Sequence, residues 1–199
     1  MQFEHLGARP RIDPTAVVAE TAVISGDVEI GPDCQVLHGA VITAEGGPIT
    51  LAACVIVMEN AVIRATSADP VHIGDHTLIG PGATVSGAVI GSEVFLATGT
   101  RVFNGARIGD RCEVRIGAIV HLRTTLPPET VVPIAWIAVG HPFGLYSPDR
   151  HDEIWAAQKE LDFPGYVFGL DRATPDLMVQ LTERYGRSLS RHRQDRRVD

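Results

Sequence analysis

An all-β solenoid with α-helices appended to it is the fold class this sequence predicts, and three observations carry the prediction. Aliphatic residues recur at every sixth position over most of the chain. Corner-like tripeptides ("IGD", "IGP", "IGS") follow several of those aliphatics. The period stops near Gly140, where helix-start signals take over.

The beat opens at Ile12 and runs unbroken through Val18, Ile24, Ile30, Val36 and Ile42. After an insertion it resumes at Leu51, Val57 and Ile63. After a second it returns at Ile73, Ile79 and Val85. It then slips by one residue and continues from Ile90 through Leu96, Val102, Ile108, Val114, Val120 and Leu126 to Val132. Helices have a period of 3.6 and ordinary strands a period of 2, and neither produces a sustained six. Short strand, turn, short strand does. Three such hexads close one triangular coil, each beat residue points into a narrow core, and coils stack at roughly 4.8 Å. The Ala, Thr, Ser and Gly residues beside the aliphatics fit cramped corners. Aromatic residues make up only 6%, whereas glycine numbers 20 and proline 13, which suits a turn-rich architecture of small aliphatics.

Beyond the solenoid, "SPDRHDEIWAAQKEL" reads as a helix with Ser147 as N-cap and Pro148 at its first position. "TPDLMVQLTERYG" reads as another, capped by Thr174, opened by Pro175 and stopped by Gly186. "DFPGYVFGL" between them is an aromatic loop. The expected organisation is an extension over 1–11, the β-helix over 12–142, a helical appendage over 143–187 and a loose basic tail over 188–199. The last sixteen residues carry +4 of formal charge, so the remainder of this −7 chain carries −11. That tail is read as a solvated terminus, and nucleic acid is not an expected partner.

The longest apolar run, Val131 to Val139, is too short to span a bilayer, and no signal-peptide pattern opens the chain. Cys34, Cys54 and Cys112 are widely spaced and odd in number, which suits a reducing cytoplasm and small buried apolar roles. There is no P-loop, no GxSxG and no HExxH.

Three stretches resemble the gamma-class carbonic anhydrase family: "DPTAVVAETAVISGDVEIGPDCQVLHGAVI", "GPITLAACVIVMENAVIR" and "IAVGHP". The resemblance covers roughly residues 12–142. It implies hexapeptide repeats wound as a left-handed parallel β-helix, a homotrimer, and zinc held between subunits by three histidines. At those three positions this chain has Arg64, Pro81 and Ser86. Arginine is a fixed cation without a lone pair to offer, proline has no side-chain donor atom, and serine is a poor zinc ligand. The family's Arg-Gly-Asp reads Thr43-Ala44-Glu45 here, and its Gln-Asp pair reads Met58-Glu59. No metal and no cofactor is therefore expected, and carbon dioxide hydration is not.

Counting hexads places Thr43, Arg64, Ser86, Phe103 and His121 in one column, and His38, Glu59, Pro81 and Thr98 in another. The resemblance implies that the two columns meet across a subunit boundary. Arg64 and Ser86 would then face the neighbour's Glu59, near Asn60, Met58 and Glu45, with His121 roughly 14 Å above Arg64. The expected site is a metal-free pocket for a small carboxylate. Arg64 anchors it, Glu59 or Glu45 acts as acid or base, Ser86 donates a hydrogen bond and His121 is a further base candidate, while Asn60, Met58, Thr43, His38 and Phe103 line it. A plain Arg64–Glu59 ion pair holding the trimer is the structural alternative. A replacement metal site from His38, Glu59 and His121 is a disfavoured alternative, because their columns and heights do not converge. His72, His76, His141 and His151 read as surface residues, and His5 carries no signal. Two other functions compete: a CoA-dependent hexapeptide acyltransferase, although the candidate loops "TAEGGP" and "RATSADP" hold no histidine, and a non-catalytic trimeric scaffold.

Overall fold

The computed structural model describes residues 1–199. Twenty aliphatic residues on a six-residue beat demand three columns of inward side chains, and three parallel sheets supply them. Two sheets have seven strands and the third has ten, and up to strand Ile137–Gly140 consecutive strands belong to different sheets. The chain winds about eight turns as a left-handed parallel β-helix of hexapeptide repeats. In the ten-stranded sheet Ile24, Ile42, Ile63, Val85, Val102 and Val120 lie in register. Every beat residue except Ile12 and Val18 is buried, and each buried Val, Ile or Leu contributes about 1.5–3 kcal/mol.

The corners explain the small residues. Ala22, Ala40, Ala61, Ala83 and Ala118 are fully buried. Coil-to-coil hydrogen bonds at this corner, such as Val41 N to Ala61 O and Val62 N to Ala83 O, stack them one above another. Another corner stacks Cys34, Val55, Thr77, Val94 and Cys112 in the same way, so these two thiols are space-filling groups, and burial pushes both thiols up from their ordinary pKa. Cys54 departs from that expectation: it is half-buried and takes φ 58° in a turn.

The two insertions fall on one corner in successive coils. They lengthen strands Val41–Glu45 and Val62–Thr66 to five residues each, paired from Val41↔Val62 to Glu45↔Thr66. The extra residues carry the chain past the coil's edge.

The structure differs from the sequence reading at both ends. Coiling starts before residue 12, because strand Gln2–Glu4 already pairs parallel with Val23–Ser25. It ends in an antiparallel hairpin of Ile137–Gly140 with Phe143–Tyr146. That hairpin consumes the residues just before Ser147, so the chain must turn through Ser147–Arg150 first. Helix α1 spans His151–Lys159, with Arg150 rather than Ser147 as N-cap. Helix α2 spans Leu177–Leu189, starts after Asp176 and runs through Gly186 into a 3-10 turn, Ser190–Gln194. "DFPGYVFGL" contains a π-helical turn, Pro164–Phe168. The stretch 188–199 is ordered against the coils. Strand Arg196–Arg197 pairs antiparallel with Gln2–Glu4, and Arg196 is ion-paired to Glu4 at 2.7 Å. Arg196 thus finds an acidic partner on the coil body, whereas Arg197 pairs with Asp199 within the stretch itself.

Candidate active site

The outward face of the ten-stranded sheet carries the column counted from the sequence. Ser25, Thr43, Arg64 and Ser86 are Cα partners in successive coils. Phe103 and His121 extend it, their backbone N–H groups bonded to the next coil at Val120 O and Ala138 O. Their rings stack with centroids 5.5 Å apart. His121 Nδ1 is buried without a partner, and burial lowers its pKa.

The lengthened strands set the charge pattern. Glu45 closes its strand beside Thr66, two residues beyond Arg64, and Arg64 Nη2 lies 3.5 Å from Glu45 Oε1. Within the chain, the arginine's carboxylate partner is therefore Glu45 and not Glu59. Glu45 is also 3.0 Å from His192 Nε2. The neighbouring Asp195 carboxylate, chiefly, and then Glu45 raise the His192 pKa against the opposing effect of burial.

The C-terminal elements roof this face with aromatic rings. Phe103 meets Phe163 edge-on at 6.2 Å, Phe163 meets Phe168 at 6.0 Å, and Phe168 meets Tyr185 at 5.8 Å. The Arg64 guanidinium lies over the Tyr185 ring, 5.6 Å from its centroid. Between roof and sheet is a cleft of about 380 Å³, lined by Glu45, Arg64, Phe168, Arg184, Tyr185 and Arg191 among others. Arg184 and Arg191 donate to the Gly169 and Ser188 carbonyls and join no ion pair. Three guanidiniums against one carboxylate leave the cleft two charges positive, a surplus that favours an anion.

The other sequence candidates lie elsewhere. His38, Glu59, Pro81 and Thr98 stack at another corner, bonded through Asn60 N to His38 O, Gly82 N to Glu59 O and Gly99 N to Pro81 O. Glu59 and His38 are exposed, and His38 Nδ1 is 2.8 Å from Thr21 Oγ1. Asn60 sits in a left-handed turn at φ 58°, and Met58 is half-buried. None of these lines the cleft, and neither do Thr43, Ser86, Phe103 and His121, which lie along the same face. Sequence reasoning missed Arg184, Tyr185 and Arg191. The basic run after Gly186 signalled cations, but nothing in it showed that α2 folds back over Arg64.

A second cleft of about 460 Å³ opens beside the loop following Thr66. Its Asp69 is 8% exposed and accepts hydrogen bonds from Tyr166 OH at 2.7 Å and Asn104 Nδ2 at 3.3 Å. Burial first, then Asp69, pushes the Tyr166 phenol up to about 12. Arg123 stacks on the Tyr166 ring at 5.5 Å.

Arg64, Pro81 and Ser86, at the positions where the resemblance puts zinc histidines, are a guanidinium, a pyrrolidine ring and a hydroxyl. That donor set does not fit zinc.

No family model matches the chain. It is similar to gamma carbonic anhydrase 1, mitochondrial, of Arabidopsis thaliana, with 26% identity over 124 residues covering 59% of this chain and 45% of that protein. It is 36% identical over 143 residues to the carboxysome assembly protein CcmM of Synechocystis, covering 65% of this chain and 20% of that one. A carbonic anhydrase of Geobacillus kaustophilus is 24% identical over 110 residues, covering 55% and 60%. The chain thus spans from about a fifth to three-fifths of these relatives' own lengths. Among solved structures, a Bacillus cereus protein provisionally classed as an acetyltransferase aligns with a TM-score of 0.63 at 20% identity, over 82% of this chain and 94% of that one, which is a likeness of fold.

Proposed function

Because this chain is a gamma-carbonic-anhydrase-like hexapeptide-repeat protein, we propose that it is a homotrimeric enzyme on that scaffold which works without the family's three-histidine zinc site and binds a small carboxylate-bearing molecule in the cleft around Arg64. The observation that supports this reading is the charge pattern of the cleft, with Arg64, Arg184 and Arg191 facing one carboxylate, Glu45. Arg64 forms a two-pronged bond to the ligand carboxylate and releases Glu45 from its 3.5 Å pairing. Glu45, still accepting from His192, is then the group that takes a proton from the ligand or returns it. The Tyr185 and Phe168 rings exclude water above it, which strengthens each charged contact.

The trimer belongs to the same proposal. The corner column that starts at His38 and Glu59 continues through Thr98 to Ile116 and Ile134. These two isoleucines are 55% and 60% exposed, an apolar stripe suited to a neighbouring protomer. In the trimer Glu59 and Ser86 come to the subunit boundary. No helix is long and apolar enough to cross a membrane, and the cytoplasm is the proposed location.

A second reading rests on the unpaired Arg184 and Arg191, since guanidiniums bind phosphate as well as carboxylate. The cleft would then hold the phosphates of coenzyme A for acyl transfer. Thermal-shift titration against a panel of small mono- and dicarboxylates and against acetyl-CoA separates the two. Stabilisation by a carboxylate that disappears in Arg64→Gln supports the first reading. Stabilisation by acetyl-CoA alone moves the assignment to the second, and an equal response in Arg64→Gln refutes the role of Arg64.

A further inference from the structure

Behind Glu45, three distant segments bring four side chains together. His5 follows the first strand, His192 sits in the 3-10 turn and Asp195 just beyond it. The His5 and His192 rings stack with centroids 4.3 Å apart and planes 19° from parallel. Asp195 spans one edge of the stack, with Oδ1 2.6 Å from His5 Nδ1 and Oδ2 2.8 Å from His192 Nδ1. Glu45 faces the other edge, 3.0 Å from His192 Nε2 and 4.0 Å from His5 Nε2. His5 is 3% exposed, and Glu45 and Asp195 are 16% and 17% exposed.

Hydrogen counting exposes a deficit. Three ring nitrogens lie within hydrogen-bond distance of carboxylate oxygens, which only accept, while the fourth, His5 Nε2, is 4.0 Å from Glu45. Three N–H groups are needed, yet two neutral imidazoles carry two between them. One further proton on His192 fills the deficit. One divalent cation between the two Nδ1 atoms and Asp195 fills it as well, leaving each Nε2–H free to point to Glu45.

We propose that His5, His192 and Asp195 form a binding site for a divalent transition-metal ion of the zinc type, with Glu45 orienting both imidazoles from behind. The candidate ligand atoms all lie within 4.8 Å of one another, a spread that an ion bonded at roughly 2 Å to each spans once the two rings tilt out of their stack so that their Nδ1 lone pairs converge. Imidazole and carboxylate are the donors such ions take. The ion sits on the Asp195 edge, each Nε2–H points to Glu45, and the carboxylate–histidine–metal arrangement fixes both tautomers. His192 is 35% exposed, which gives the ion a way in and leaves room for a water ligand. None of the three ligands occupies the positions of Arg64, Pro81 or Ser86. The site ties the first strand to the segment that covers it, and it stands apart from the carboxylate reading because its probe is the metal alone.

The test is Zn2+ calorimetry and Co2+ visible absorption on chelator-treated full-length protein. Saturable binding of one equivalent per chain is expected, with a Co2+ spectrum altered from that of the aquo ion and a raised melting temperature. His192→Gln and Asp195→Asn abolish it, and Glu45→Gln weakens it roughly 10- to 100-fold. Arg64→Gln, which should lose the carboxylate, keeps the metal. The exposed pair His72 and His76 is the competing site, so the double variant His72→Gln/His76→Gln should bind normally. Absent saturation, an unchanged aquo spectrum, or loss in the His72/His76 variant instead of His192→Gln overturns the proposal. Far-ultraviolet dichroism of each variant checks that the coils persist.

Discussion

The coil stack and the C-terminal cover are built on opposite principles. In the stack, each inward residue has the same kind of neighbour one coil above and one below, and whole columns are fully buried. In the cover, no residue after Val139 is buried, and α1 and α2 contribute none to the core. The cover is held by single contacts instead: ring edges, a phenol on Asp69, arginine over tyrosine. Repetition gives the stack its stability, whereas the unrepeated contacts set charged groups into a cleft. Both clefts lie along the seam between the two regions, close to the insertions that interrupt the beat.

Four measurements would break or sharpen that contrast. Ile63→Ala, at a fully buried beat position, should cost about 3 kcal/mol in chemical denaturation. The same truncation at half-buried Leu181 in α2 should cost about 1 kcal/mol or less. Comparable losses would show that the cover is part of one cooperative core. Gly87→Ala tests the seam itself. Gly87 has φ 49°, and an added Cβ would lie 2.4 Å from Asp69 Cβ. The left-handed torsion and the clash together should cost about 2 kcal/mol, with proteolysis of the cover accelerated.

Tyr166→Phe removes one hydrogen bond, about 1 kcal/mol, and loosens the cover rather than the coils, as hydrogen exchange of residues 160–170 would register. The fold favours the protonated phenol, with its pKa raised from 10.0 to about 12. The contribution is therefore full below pH 10 and is lost as pH climbs towards 12. The variant should lack that alkaline loss, and an identical profile in both proteins would remove Tyr166 as its source. Smallest of all, Arg196→Ala breaks an exposed ion pair with Glu4 and should leave the melting midpoint where it is. A clear drop would mean that the cover stabilises the first coil more than its surface contacts suggest.

The contrast also explains what could be read in advance. Ile24, Ile42 and Ile63 declare their column because a six-residue period admits one geometry, and the Thr43–Arg64–Ser86 stack follows by counting. The partner of Arg64 could not be counted, because the insertion that delivers Glu45 belongs to no period. Arg184 and Arg191 looked like solvated charge, since an exposed helix with no buried residue has no signature of what it covers. The His5–Asp195 contact joins positions 190 apart through neither beat nor motif. The cap signals at Ser147 and Thr174 misplaced both helix starts because hairpin closure and docking outweigh a local cap worth about 1 kcal/mol.

The opening strand Gln2–Glu4 is synthesised early, yet the arginine that pairs with Glu4 emerges 192 residues later. Strand Arg196–Arg197 is what covers that edge of the ten-stranded sheet, and without it the amides and carbonyls of Gln2–Glu4 would be free to recruit another extended segment. A truncation ahead of Arg196 should therefore promote adhesion between copies through the first coil.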